Sequence, residues 1–283
     1  MHQRPAADDV VVCGYDMVTP LGAELEPQWE AFAAGRSGVE RVRRFELDDD
    51  YPVRVAGQVP PIDFSTRGFW SERDEANWFS PVIFHSMLVA ERALEHARLE
   101  IDGALAPRVA TTFSSAVGGL DAMIRAEAQV GAGRTPHPFT NPNGCLNLVG
   151  GKVSILTGAT GPIFSPVAAC ATGAASVATG ALLLRAGRAD AVIAGACDFP
   201  VIKSLLASFA SMNGAFQSRK PDDRAAADPA LASRPFSDDR KGFVVSEGAA
   251  ALILATRAFA QERGLPVRGA VAGLGMTSDA RHY

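Results

Sequence analysis

The chain is poor in the features that announce several large classes of protein. Its 283 residues include only four cysteines, Cys13, Cys145, Cys170 and Cys197, widely spaced and without a CxxC pair. Neither a disulfide framework nor a zinc site is indicated, and a reducing, cytoplasmic setting is expected. No apolar run approaches the roughly 18 to 20 residues of a membrane span. The polar start, MHQRPAADD, lacks the charged, apolar, small-residue order of a secretory signal, so no membrane association is expected. Neither sign of charge dominates: 27 Lys and Arg against 31 Asp and Glu leave a net −4, with the cations scattered rather than striped. A nucleic-acid partner is therefore not expected. No internal repeat is found. What remains is ordinary globular composition, 47% hydrophobic and 20% charged, which excludes disordered and fibrous classes.

Read along the chain, Val10 to Cys13 with Gly14 forms a short buried strand, and Glu24 to Ala34 a helix that Gly35 ends. Asp48 to Arg73, rich in Pro, Asp and Arg, has no period and reads as surface loop. Ser80 and Pro81 start an amphipathic helix to Arg98, and Val109 to Phe113 is a strand. A glycine turn at Val117 to Leu120 opens another helix, the three prolines of Thr135 to Asn143 mark loop, and Cys145 to Leu156 is helical again. Ile163 to Ala168, Cys170 to Arg185 and Ala189 to Ala196 then read as strand, helix and strand, a βαβ unit. After a loop from Gln217 to Pro235, the strands Ala249 to Leu254 and Val267 to Leu274 flank a helix around Arg257 to Arg263. One α/β domain is expected.

Ten of the twelve residues from Cys170 to Ala181 are Ala, Gly, Ser or Thr. A helix without a wide polar face is expected to be buried on nearly all sides, with the thiol at its first turn. Unpaired N–H groups there favour an anion. A helix terminus supplies only about 0.3 to 1 kcal/mol, too little to ionise an ordinary cysteine at neutral pH, so a histidine or cation nearby is expected. On position alone the residue reads equally as a nucleophile or as a small buried hydrophobe. Two other signals carry nothing. GLGMTS is followed by too little chain for a dinucleotide-binding helix. The Asp48 to Asp50 run has no further carboxylates at ligand spacing, so no metal is expected.

The run PVAACATGAASVATGALLLRAGRADAVIAGACD resembles the nucleophile segment of the β-ketoacyl-acyl carrier protein synthases of the thiolase-like superfamily. VVVCGYDMVTPLG, SSAVGGLDAMI, SRPFSDDRKGFVVSEGAAALIL and VAGLGMTSDARHY resemble that family's other segments, in family order and across essentially the whole chain. The resemblance implies an α/β thiolase-like layered fold, N-terminal half, with one mixed sheet and a buried nucleophile helix. Residues 1–283 would form the ketosynthase N-terminal domain. It implies Cys170 as the catalytic nucleophile, its N–H contributing to an oxyanion hole, with Val117 lining the acyl tunnel and Phe209 gating the pocket; both also read simply as core residues. No cofactor is implied beyond the phosphopantetheine of acyl carrier protein. The reaction implied is acyl transfer to Cys170 and decarboxylative condensation with malonyl carrier protein in fatty acid or polyketide synthesis.

The family's two enolate-stabilising histidines belong to a second half whose motifs do not occur here. His2, His85, His96 and His137 read as surface or structural, and His282 matches a family histidine near the pantetheine entrance. A complementary C-terminal half is therefore an expected partner, beside acyl carrier protein and a homo- or heterodimer mate around Phe139 to Val149. A non-catalytic partner of the chain-length-factor type and a truncated fragment are the alternatives. Ser237, Ser246 and Arg281 depart from the family pattern, and Pro166 removes a donor from the strand that leads to Cys170, where a bulge or unpaired position is expected.

Overall fold

The computed structural model describes residues 10–217, 225, 227–278 and 280. Its centre is a six-stranded mixed sheet in the order β5-β4-β6-β7-β1-β8. The strands are β1 (Val10–Val18), β4 (Val109–Ser114), β5 (Ile163–Phe164), β6 (Ala191–Asp198), β7 (Gly248–Thr256) and β8 (Gly269–Ala270). Strands β5 and β6 both run parallel to β4, which lies between them, while β7 is antiparallel to β6 and β1. A short ribbon, β2 (Val39–Arg41) with β3 (Val55–Gly57), stands apart.

Central strands are apolar throughout because both faces are covered. Ala191, Ile193 and Cys197 of β6 join Val109 and Phe113 of β4 and Ile253 of β7 in one core. Against this face pack α3 (Pro81–Ala97) and α6 (Leu146–Thr157). Val192 and Ala194 alternate onto the other face, where they meet Ala181 and Leu184 of α7 (Thr172–Arg185). Small residues let these layers approach. A Cβ on Gly14 would lie 2.4 Å from the Ala93 carbonyl oxygen of α3, so β1 continues through this glycine instead of ending at Cys13. The register slips between Val12 and Gly14, a β-bulge that accommodates the extra residue.

Several boundaries differ from the sequence reading. Helix α3 is buried all round from Val82 to Ala90 and amphipathic only beyond: it packs on the sheet beside α6, and the rings of Phe64, Phe69 and Phe199 lie against Phe84 and His85. Asp48 to Arg73 is not simply surface loop: Tyr51, Val53, Val55, Ala56 and Val59 are buried, and Tyr51 donates its hydroxyl to the Lys203 carbonyl oxygen at 2.5 Å. The proline-rich stretch near Phe139 contains the short helix α5 (Thr140–Gly144). Strand β8 has two residues rather than the eight expected. Part of the expected loop from Gln217 to Pro235 lies outside the described residues, as do His2, Arg281 and His282. The remaining helices are α1 (Leu25–Ala33), α2 (Glu72–Asn77), α4 (Leu120–Gly131), α8 (Lys203–Ser211) and α9 (Arg257–Glu262). Among the described residues, no helix is long and apolar enough to cross a membrane.

Candidate active site around Cys170

The parallel strands β5, β4 and β6 point their carboxyl ends to one edge of the sheet, the position at which open α/β sheets place their sites. Three segments leave the strands there. Strand β5 ends after Phe164, two residues before Pro166, whose missing N–H cannot extend the ladder. The Ser165 hydroxyl instead donates to the Phe113 carbonyl oxygen, 3.2 Å away.

The chain then turns through a one-turn 3₁₀ helix, Ala169–Ala171, directly before α7. Ala169 has φ 48°, in the left-handed region, which costs a non-glycine residue about 1–2 kcal/mol. Hydrogen bonds hold the turn in that conformation. The Ala171 N–H donates to the Ala168 carbonyl at 2.9 Å, the Thr172 hydroxyl donates to the Ala169 carbonyl at 2.7 Å, and the Ala168 N–H donates to that hydroxyl at 3.0 Å. Thr172 is buried, whereas Cys170 between these anchors is exposed. The thiol thus heads α7 from a 3₁₀ turn, and the α-helix itself begins at Thr172, two residues after the Cys170 start of the sequence reading. The reading of Cys170 as a small buried hydrophobe does not hold.

The other thiols differ. Cys13 and Cys197 are buried, and burial pushes both thiols up, Cys197 well above the ordinary range. Cys145 is half-buried. No described histidine is bonded to the Cys170 turn. His85 and His96 lie on α3, across the sheet from α7. Burial lowers His85 to about 4; its ring lies 4.2 Å from that of Phe199, and its Nδ1 is 2.7 Å from the Pro81 carbonyl. His137 packs against Phe79 and Phe139. Among the described residues, no histidine is therefore hydrogen-bonded to the thiol.

Val117 lies half-buried in the loop between β4 and α4. Its N–H donates to Asp198 Oδ1 at 3.0 Å, and the Ala116 N–H and Ser115 hydroxyl donate to the same oxygen at 2.9 and 2.6 Å. Phe209, half-buried on α8, joins a different cluster with Leu206, Val201 and Tyr51, and its ring meets that of Phe243 edge-on at 5.4 Å. Asp198 and Ala169 escaped the sequence reading. Asp198 had a visible signal, the first charge after an apolar strand, whereas a positive φ at alanine has none. Glu247 anchors its turn: Arg44 grips it at 3.2 and 2.6 Å, and the Val59 N–H donates to it at 2.9 Å.

Helix α7 is not buried on all sides. Its inner face, with Ser176, Gly180 and Leu184, is sealed against the sheet, but Ala171, Ala174 and Leu182 are exposed. Ile163, Phe164 and Val167 are also 47–50% exposed, so an apolar strip runs from β5 past the thiol.

The layered mixed sheet is the thiolase-like fold of solved ketosynthases. A β-ketoacyl synthase from Burkholderia phymatum superposes with a TM-score of 0.80 at 23% identity, over 92% of this chain and 62% of that one. A type II PKS acyl-carrier protein in complex with its ketosynthase bound to the hexaketide matches with TM-score 0.72 and 25% identity, covering 92% and 61%. The ishigamide ketosynthase/chain length factor gives 0.75 and 22%, again over 92% and 61%. The family profile described as Beta-ketoacyl synthase, N-terminal domain, matches residues 7–260, and the chain belongs to that family. It is 33% identical to the 3-oxoacyl-(acyl-carrier-protein) synthase 2 of Rhizobium meliloti over 96% of its length, and 31% identical to that of Vibrio cholerae over 96%. It spans 65% and 64% of those two relatives.

Proposed function

We propose that this chain is the acyl-accepting half of a β-ketoacyl-acyl carrier protein synthase, with Cys170 as nucleophile. The observation that carries the reading is an exposed thiol held between two hydrogen-bonded anchors at the head of α7. In the proposed first step, the Cys170 sulfur bonds to the carbonyl carbon of an acyl thioester on the phosphopantetheine of acyl carrier protein. The pantetheine sulfur leaves and takes the proton. The N–H of Cys170 has no hydrogen-bond acceptor among the described residues, which leaves it available to the developing oxyanion. Malonyl carrier protein then loses carbon dioxide, its enolate carbon attacks the acyl-enzyme, and the Cys170 thiolate leaves. The product is a 3-oxoacyl chain two carbons longer.

Stabilising that enolate is the part assigned to two histidines of a complementary half, which would cover the apolar strip along α7 and β5. Such an interface is expected in the obligate range of about 2,000–5,000 Å². Residues 1–283 would then be the first thiolase-like half of a homo- or heterodimeric enzyme, with Val117 lining the acyl tunnel and Phe209 gating it. Retention of the thiol argues against a non-catalytic chain-length-factor role.

Mass spectrometry after incubation with acyl-charged carrier protein tests the reading. The chain with its second half present should gain one acyl mass, and Cys170→Ala should gain none. If the unaltered protein takes up no acyl group even with the second half supplied, the proposal is wrong.

A further inference from the structure

Asp198 is the last residue of β6, and its position follows from the register. Val192 and Ala194 face α7, and a Cβ on Gly173 would lie 3.6 Å from the Ala196 side chain, so this face of β6 runs directly under the first turn of α7. Asp198, two residues further along a strand of period two, emerges on the same face just beyond the helix head. Ser114 pairs with Ala196, which brings the 115–118 loop level with that carboxylate.

One oxygen of the carboxylate is held by the loop. Oδ1 accepts from the Ser115 hydroxyl and from the N–H groups of Ala116 and Val117, all within 3.0 Å. The Ser115 hydroxyl in turn accepts the Gly118 N–H at 2.6 Å. From the other side the loop meets a wall: a Cβ on Gly118 would lie 2.8 Å from Leu146, and one on Gly119 1.9 Å from the Asn143 carbonyl oxygen. The loop is clamped between one carboxylate and one segment of backbone. Hydrogen bonds to a charged acceptor are about twice as strong as neutral ones; the Val117 N–H is held by the carboxylate directly, and the next peptide is held through Ser115, whose hydroxyl accepts the Gly118 N–H.

We propose that Asp198 is a positioning and specificity-determining residue: it fixes the position of Val117 at the sheet edge that also carries the Cys170 turn and so sets which acyl chains the site accepts. This inference rests on the acyl-transfer reading above. It requires no direct contact between Asp198 and the substrate.

The test uses the full protein with its complementary half, comparing acylation rates of Cys170 from carrier protein bearing a short or a long straight acyl chain. Asp198→Asn should change the long-to-short rate ratio about tenfold, the size of losing one pocket contact. Asp198→Glu should recover part of it. Val117→Ala should change the same ratio, and the double variant should show no further change, since both act through one contact. An unchanged ratio in Asp198→Asn, or fully additive effects, overturns the inference while leaving the nucleophile reading intact. If the unaltered protein is not acylated at all, the nucleophile reading fails instead. Amide exchange at residues 116–118 then decides the loop claim: faster exchange in Asp198→Asn supports it, and equal exchange overturns it.

Discussion

Ser165 donates its hydroxyl to the carbonyl oxygen of Phe113 at the level where β5 has ceased to pair with β4. A side chain thus makes the link that Pro166, having no N–H, denies to the backbone. Ser165→Ala should destabilise the protein by about 1 kcal/mol, the usual net worth of one hydrogen bond. Urea denaturation measures this, and a loss under a few tenths would show that the contact adds nothing.

Glycines set the spacing between β6 and its neighbours. A Cβ on Gly180 would lie 2.9 Å from Val192 Cγ1, a side-chain atom able to shift, so Gly180→Ala should cost about 1–3 kcal/mol. On Gly195 it would lie 2.3 Å from the Phe113 ring and 2.4 Å from the Ala250 carbonyl oxygen, which belongs to backbone and cannot yield. Gly195→Ala should therefore lower the thermal midpoint more than Gly180→Ala, and the reverse order would contradict this account of the packing.

Two buried groups give stability opposite dependences on pH. Asp16 is 3% exposed, and burial raises its pKa to about 7 even though the Arg92 guanidinium lies 3.7 Å away, too far for a hydrogen bond. Between about pH 4 and 7 the folded state holds this proton and the unfolded chain releases it, so stability falls as pH rises. His85 is lowered from 6.5 to about 4, so the unfolded chain binds the extra proton and stability falls as pH drops from about 6.5 toward 4. Asp16→Asn should stabilise the protein at about pH 8, on the order of 1–3 kcal/mol, and expose the His85 loss on the acid side. Denaturant midpoints across this pH range check both signs, and a variant that weakens the protein at high pH would refute the first.

The apolar strip beside the thiol should make the chain, taken alone, associate with itself. Because Phe164 is 50% and Leu182 47% exposed, Phe164→Lys with Leu182→Lys should restore a monomer in sedimentation while leaving the thermal midpoint nearly unchanged. An unaltered chain that already sediments as a stable monomer would contradict this expectation.

Much of this arrangement was legible in the sequence because its strands are apolar on both faces. Ala189 to Ala196 and Val109 to Phe113 stand out as runs between turn residues, and the small-residue stretch after Cys170 stands out by composition. What stayed hidden depends on distant partners. Val53 and Val55 are buried among prolines, aspartates and arginines because α8 and Val245 cover the first and Phe216 and Ala232 the second, a fact no local window contains. The outer face of α7 looked buried because small residues normally signal close approach on every side. The clamp at Asp198 arises only when β6 is set beside β4. The 3₁₀ start of α7 is likewise a tertiary outcome, fixed by Thr172 folding back onto Ala168 and Ala169.

The left-handed backbone at Ala169 has one more consequence. Because that torsion immediately precedes Cys170, the sulfur is aimed by the main chain instead of by packing around its own side chain. The thiol is directed without being enclosed, and whatever electrophile it meets is selected by the walls that neighbouring loops raise around it.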